Sequence, residues 1–296
     1  MKNKKKIFRY IFVCVMFVIM VVSCYKIITT YSRLKKADEV YEKLQNEFVQ
    51  IVDDVDETYG SEYEMETEPA TDESSSSETS AVTDTDAVTS TEPATTEKET
   101  DPPKPAPKPT KIKVNFDALL KENNDVVGWI YGAGTPISYP VMQAEDNDTY
   151  LRADIYKNYL VSGTLFVDFR NREICEDRNY IIYGHHMKNG TMFGSLLYYK
   201  DQSYYNAHPT IQYLTPNGNY TIRIVAGGVI HMNDIIYYPN PPKAEFEKYL
   251  EDLLNNSTFD SGLTFEKDDK LITLSTCSYD FDGARYVLVG KLEPSK

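Results

Sequence analysis

The chain has 296 residues, with 31 Lys and Arg against 45 Asp and Glu, a formal net charge of −14 and four cysteines. The acidity argues against a nucleic-acid partner, and four scattered cysteines exclude a small disulfide scaffold. The charge is also local: residues 51–110 hold 17 Asp and Glu and 3 Lys, which accounts for all of it, and the rest of the chain carries 28 residues of each sign.

In chain order, Lys2, Lys4, Lys5, Lys6 and Arg9 precede a near-continuous apolar run from Tyr10 to Tyr25, followed by Ile27 and Ile28. A run of about 18–20 apolar residues is long enough to cross a bilayer as a helix. The basic flank and the missing small-x-small cleavage site favour an uncleaved anchor, residues 1–30, over a cleaved signal peptide. On this reading the basic tip stays in the cytoplasm and the chain after Lys26 lies outside. Cys14 and Cys24 belong to the run; Cys175 and Cys277 lie far apart outside it, where a bridge between them is one expectation for an exported protein.

Residues 31–52 carry Leu34, Val40, Tyr41, Leu44, Phe48 and Ile51 at helical spacing and predict a juxtamembrane helix. Residues 53–110 are Glu, Thr, Ser, Ala and Pro, ending in "DPPKPAPKPT". Such a composition buries too little apolar surface to fold, so a disordered stalk holding the next domain off the membrane is expected.

The folded domain is expected over residues 111–296, a length sufficient for one core. "VNFDALLKENNDVVGWI" predicts a helix capped by Asn115, then a strand from Val127 to Ile130. The runs "ISYPVM", "GTLFVDF", "NYIIYG", "TIQYLT", "YTIRIVAGGVI", "KLITLST" and "RYVLVGKL" read as strands punctuated by Gly, Asn, Asp and Pro. "PKAEFEKYLEDLLNN" reads as a helix with Phe246, Tyr249, Leu250 and Leu253 on one face. The pattern predicts a mainly β fold, a closed or nearly closed barrel with a few helices rather than a βαβ sheet.

Three chemically apt side chains fall at strand ends of that barrel. "NYIIYGHHM" presents His185 and His186, "LITLST" ends on Cys277, and Arg285 opens the next strand after "SYDFDGA". Each alone has an ordinary reading: a small buried thiol, a satisfied histidine, an arginine paired with Asp280 or Asp282. Adjacent histidines diverge in direction and form no helical His-x-x-x-His, so neither a metal nor any cofactor is expected.

Together, "TLSTC" followed by Arg285, "YGHHM", "DVVGWI", "ISYPVMQAEDNDTYL" and "GTLFVDFRN" resemble the sortases, and class B sortases in particular. The resemblance spans Asn115 to Leu292 and implies a sortase-like barrel, with the helix over Lys243–Asn255 where class B members carry one before their last strands. It implies that Cys277 is the nucleophile of a cysteine transpeptidase, His185 the catalytic histidine after Tyr-Gly, and Arg285 the catalytic arginine. His186 stands where asparagine is usual. Asn147, Leu151, Tyr183 and Ser275 match positions lining the peptide groove, each with ordinary packing or turn capping as its alternative. His208 and His231 are expected to be structural.

The implied activity is cleavage of a C-terminal sorting signal at a Thr–Gly or Thr–Asn bond and transfer to an amine of a peptidoglycan precursor at a Gram-positive cell surface. Three alternatives stand beside it. A pilin-polymerising sortase would use the same residues. A cysteine L,D-transpeptidase lacks its His-x-x-x-Ser-x-Gly-Cys pattern here. A stalked, non-catalytic surface-binding module would bridge Cys175 and Cys277.

Overall fold

The computed structural model describes residues 2–52 and 111–295. Residues 53–110, the expected stalk, lie outside the described residues.

Helix α1 runs unbroken over Lys2–Phe48. From Phe12 to Ile28 its side chains pack against nothing in the chain, and its most apolar 18-residue window has a mean hydropathy of 2.3. Further along, Ala37, Tyr41, Leu44 and Phe48 are buried in the main core. Their spacing of four, three and four residues is one stripe of an α-helix. Tyr41 packs edge-on against Tyr139, with 5.1 Å between centroids, and its hydroxyl donates to the Gly163 carbonyl. Gln45 Nε2 donates to the Ser138 carbonyl at 3.0 Å.

This arrangement corrects two sequence expectations. The predicted helix over residues 31–52 ends at Phe48, and β1 (Val49–Val52) takes the last four residues, pairing antiparallel with β2 (Lys111–Val114). Helical periodicity could not reveal this, because a four-residue strand leaves a helix-like pattern untouched and its partner lies beyond a long polar segment. The domain also does not begin at residue 111, since the stripe from Ala37 to Phe48 is part of its core. Val52 is the register partner of Lys111. The chain therefore leaves and re-enters the domain at neighbouring points.

Helix α2 (Phe116–Glu122) follows, capped as expected by Asn115, whose Oδ1 accepts from the Ala118 N–H at 3.2 Å. Eight strands then close a barrel: β3 (Val126–Tyr131), β4 (Ser138–Met142), β5 (Leu165–Val167), β6 (Asn179–Tyr183), β7 (Thr210–Thr215), β8 (Gly218–His231), β9 (Leu271–Cys277) and β10 (Ala284–Pro294). The order around it is β10-β8-β7-β3-β4-β5-β6-β9. Pairings are antiparallel except β4 with β5 and β6 with β9, which are parallel. The fold is mainly β with an N-terminal helix and the longer α4 (Lys243–Asn255) before the last two strands; a short α3 spans Gln202–Ala207.

The strands β6 and β9 are buried along almost their whole length because both of their faces are covered. Tyr180, Ile182, Ile272 and Leu274 face the barrel interior with Trp129 and Tyr286. Ile181, Leu271, Val287 and Val289 face outward onto Phe246, Leu250 and Leu253 of α4. Burying each such side chain contributes roughly 1.5–3 kcal/mol. The two-sided burial holds the ends of β6, β9 and β10 in place, and the cleft lies at those ends.

Candidate active site

Strand β9 is flanked by β6 and β10, and the ladder registers set the site. Arg285 is the cross-strand partner of Cys277. Tyr183 is the partner of Ser275, and the Gly184 N–H donates to the Ser275 carbonyl at 3.0 Å. Just past the end of this ladder, His185 lines the same cleft as Cys277. The thiol thus sits on the middle strand, with the imidazole on one side and the guanidinium on the other. Gly184 makes the passage of the chain feasible: a Cβ there would meet Leu165 Cδ2 at 2.3 Å and the Phe193 ring at 2.6 Å. Gly283, at φ +75°, turns the β9–β10 loop back so that Arg285 returns beside the thiol.

His185 Nε2 donates to the Leu151 carbonyl at 2.7 Å. The neutral ring then carries its proton on Nε2 and leaves Nδ1 as the base. Burial pushes the His185 imidazole below its ordinary pKa, and the nearby Arg152 charge adds to this, while the Leu151 carbonyl pulls the other way. His186 points elsewhere. Its Nδ1 lies 3.0 Å from the backbone carbonyl of Cys277 and its ring packs on Tyr279, with 5.2 Å between centroids. His208 is bonded to the Tyr204 carbonyl, and His231 stacks on Phe281; neither lines the cleft.

The ordinary alternative, a pairing of Arg285 with Asp280 or Asp282, does not occur. Asp280 is held by Lys200 and Ser278, and Arg285 forms no ion pair among the described residues. Its Nη1 donates to the Ala284 carbonyl at 2.9 Å and its Nη2 lies 3.9 Å from Met232 Sδ. An arginine without a carboxylate beside a thiol is free to hold a carbonyl or a developing oxyanion. Cys175 and Cys277 are both free, so the bridge expected of a binding module is absent.

All seven residues singled out by the sequence line one cleft of about 370 Å³: Cys277, His185 and Arg285 with Asn147, Leu151, Tyr183 and Ser275. Sequence reasoning missed Phe166, Arg170, Met232, Asn233, Tyr237 and Thr276, which also line it. Tyr237, in a 3₁₀ turn over Ile235–Tyr237, reaches Ser275 Oγ with its hydroxyl at 2.8 Å. Arg170 stood in plain view within "VDFRN", but no local pattern tells a groove-lining arginine from a surface one.

A thiol, an imidazole and an unpaired guanidinium at one rim of a closed barrel define a cysteine enzyme suited to acyl transfer. Comparison with known proteins specifies which. Residues 133–293 match the sortase domain family. Sortase B of Listeria monocytogenes is 37% identical over 187 residues, which cover 62% of this chain and 75% of that protein. The solved structure of a Staphylococcus aureus sortase B–substrate complex is similar at TM-score 0.58 and 32% identity, covering 61% of this chain and 85% of that one. Clostridium perfringens sortase B is similar at TM-score 0.55 and 33% identity, covering 60% and 98%. The chain belongs to the sortase family, in class B, and is a cysteine transpeptidase.

Proposed function

We propose that this protein is a membrane-anchored sortase that joins secreted proteins to the cell wall of a Gram-positive bacterium, with Cys277 as nucleophile, His185 as acid and base, and Arg285 as electrostatic partner. The observation that supports the reading is that Arg285 pairs with Cys277 across β9 and β10 and that His185 lines the same cleft rim.

In this reading a sorting peptide lies along the wall made by Asn147, Leu151, Tyr183 and Ser275, with a Thr–Gly or Thr–Asn bond over Cys277. The thiol proton passes to His185, whose lowered pKa supplies the neutral base in the resting cleft. The sulfur attacks the threonine carbonyl and a tetrahedral oxyanion forms. Arg285 donates to that oxygen; removing one such donor costs about 3 kcal/mol of barrier in comparable sites. His185 then protonates the departing amine, leaving a thioester on Cys277. An incoming amine of a peptidoglycan precursor loses its proton to His185, attacks the thioester carbonyl and releases the joined product. The thiolate is expelled beside the imidazolium and takes the proton back from His185, which restores the thiol and the neutral base.

The apolar half of α1 supports a single membrane span, and the basic residues Lys2 to Arg9 support a cytoplasmic N-terminus, which sets the barrel on the outer face. There the cleft meets both exported substrates and wall precursors.

The test is turnover of a panel of fluorogenic peptides containing Thr–Gly and Thr–Asn bonds by the full chain in detergent, with and without an amine acceptor. Cleavage that rises with acceptor and disappears in Cys277→Ala is expected. Equal behaviour of wild type and Cys277→Ala on every peptide sinks the proposal.

A further inference from the structure

Asp168 follows β5 directly and is fully buried, yet the chemistry above gives it no part. A buried carboxylate costs several kcal/mol in lost hydration unless its oxygens are matched by donors. Here they are matched. Arg170 closes a two-pronged contact on it, Nε to Oδ1 and Nη2 to Oδ2, both 2.8 Å. The Arg170 N–H adds a third bond at 3.0 Å, the Tyr183 hydroxyl a fourth at 2.8 Å and Asn147 Nδ2 a fifth at 3.3 Å. Burial by itself would raise the Asp168 pKa, but Arg170 and Tyr183 outweigh it and hold it below the usual carboxylate range.

The donors come from separate stretches of chain, and each one lines the cleft. Tyr183 closes β6. Asn147 sits in the loop after β4, pinned a second time as its Oδ1 accepts from the Phe169 N–H at 3.0 Å. Arg170 extends the network with the same Nη2, which donates to the Tyr237 carbonyl at 2.7 Å, and its guanidinium lies 5.7 Å from the Tyr238 ring centroid. Tyr237 in turn bonds Ser275, two residues before Cys277. Tyr183 and Tyr237 stack at 6.0 Å between centroids. One ion pair, its carboxylate buried and its guanidinium partly exposed, thereby ties two loops and a strand end to the strand that carries the thiol.

From this we infer that Asp168 and Arg170 are positioning residues. They hold the peptide-binding wall, made of Asn147, Tyr183 and the Tyr237 turn, at a fixed distance from the end of β9. The inference rests on the functional reading above and deepens it. The Asp168 N–H donates to the Ile181 carbonyl of β6 at 2.9 Å, but that bond and the β6–β9 and β9–β10 ladders are backbone contacts that a side-chain change leaves in place, so loosening the pair loosens the grip on the peptide and spares the thiol chemistry.

The experiment is Asp168→Asn in the full chain, with Arg170→Lys as the milder partner that keeps the charge but loses the fork. Three readouts are taken: peptide kinetics, the rate of Cys277 labelling by a methanethiosulfonate reagent mapped by digestion, and amide hydrogen exchange. For Asp168→Asn, KM rises about tenfold or more while kcat falls less than about threefold. Labelling of Cys277 stays within about threefold of wild type. Exchange quickens over residues 143–151 and 231–238 and not over Asn179–Tyr183 or Leu271–Cys277. Arg170→Lys shows the exchange change over residues 231–238 alone, which decides the matter if Asp168→Asn does not fold. Unchanged exchange in those segments, or a fall in kcat and labelling with KM unmoved, overturns the inference. Absence of wild-type turnover on every peptide would sink the functional reading instead, and exchange would still decide whether the pair holds the wall.

Discussion

The cleft has two sides built on different principles. On one, His185, Cys277 and Arg285 sit at the ends of three paired strands, and backbone ladders fix their alignment. On the other, Asn147, Leu151 and Tyr237 sit on loops held by side chains: the Asp168–Arg170 pair for Asn147 and Tyr237, and the packing of α1 for the segment behind Leu151. Tyr41 of α1 bonds Gly163, which lies so close that a Cβ there would meet the Leu151 carbonyl at 2.4 Å. The proposed reacting groups ride on the stiff frame. The surface that must accept a peptide rides on parts that side chains can retune.

The largest effect that separates the two histidines comes from their substitution. His185→Ala removes the acid and base, and kcat falls by about 10²–10⁴. His186→Ala loses only a contact to the Cys277 carbonyl and the Tyr279 ring, and kcat stays within about tenfold of wild type. A reversed result in steady-state kinetics would move the chemistry off the β6–β9 register.

Next in size are changes at the α1 side. Leu44→Ala opens a cavity where α1 meets the barrel and costs about 2–5 kcal/mol in denaturant unfolding. Excising residues 53–110 and joining Val52 to Lys111 by a short turn does the opposite. Shortening the connection between paired strands stabilises by about 2 kcal/mol through loop closure, and turnover of soluble peptide is unchanged. Loss of the folded barrel on excision would contradict the pairing of β1 with β2.

The smallest effect tests the electrostatics of the stiff side. Arg152 lowers the His185 pKa, so Arg152→Gln raises it. Titration of the His185 ring by NMR moves to higher pH, and the limb of the pH–rate profile that reports this ring moves the same way. A shift to lower pH, or none, would break the link between Arg152 and the base.

The stiff side was largely legible in the sequence. Apolar runs with Gly-His, Thr-Cys and an opening Arg mark strand ends, and covered strands leave a compositional trace that survives without coordinates. The cap at Asn115 and the face of α4 were readable for the same reason: both are local. The retunable side was not. Asp168 bonds Tyr183 and Asn147 across 15 and 21 residues, and Arg170 bonds Tyr237 across 67. No periodicity encodes such contacts. Pairing of β1 with β2 joins strands separated by a long polar segment, beyond the reach of any local pattern.

The covalent step at Cys277 is open to direct observation. The full chain is mixed with a cleavable sorting peptide, quenched in acid, digested and examined by mass spectrometry, with and without an amine acceptor. The prediction is an acyl adduct ending in threonine on the fragment that contains Cys277, lost when acceptor is added and replaced by the amide product. Cleavage of the peptide with no adduct on Cys277, or an adduct on Cys175 in its place, would contradict it.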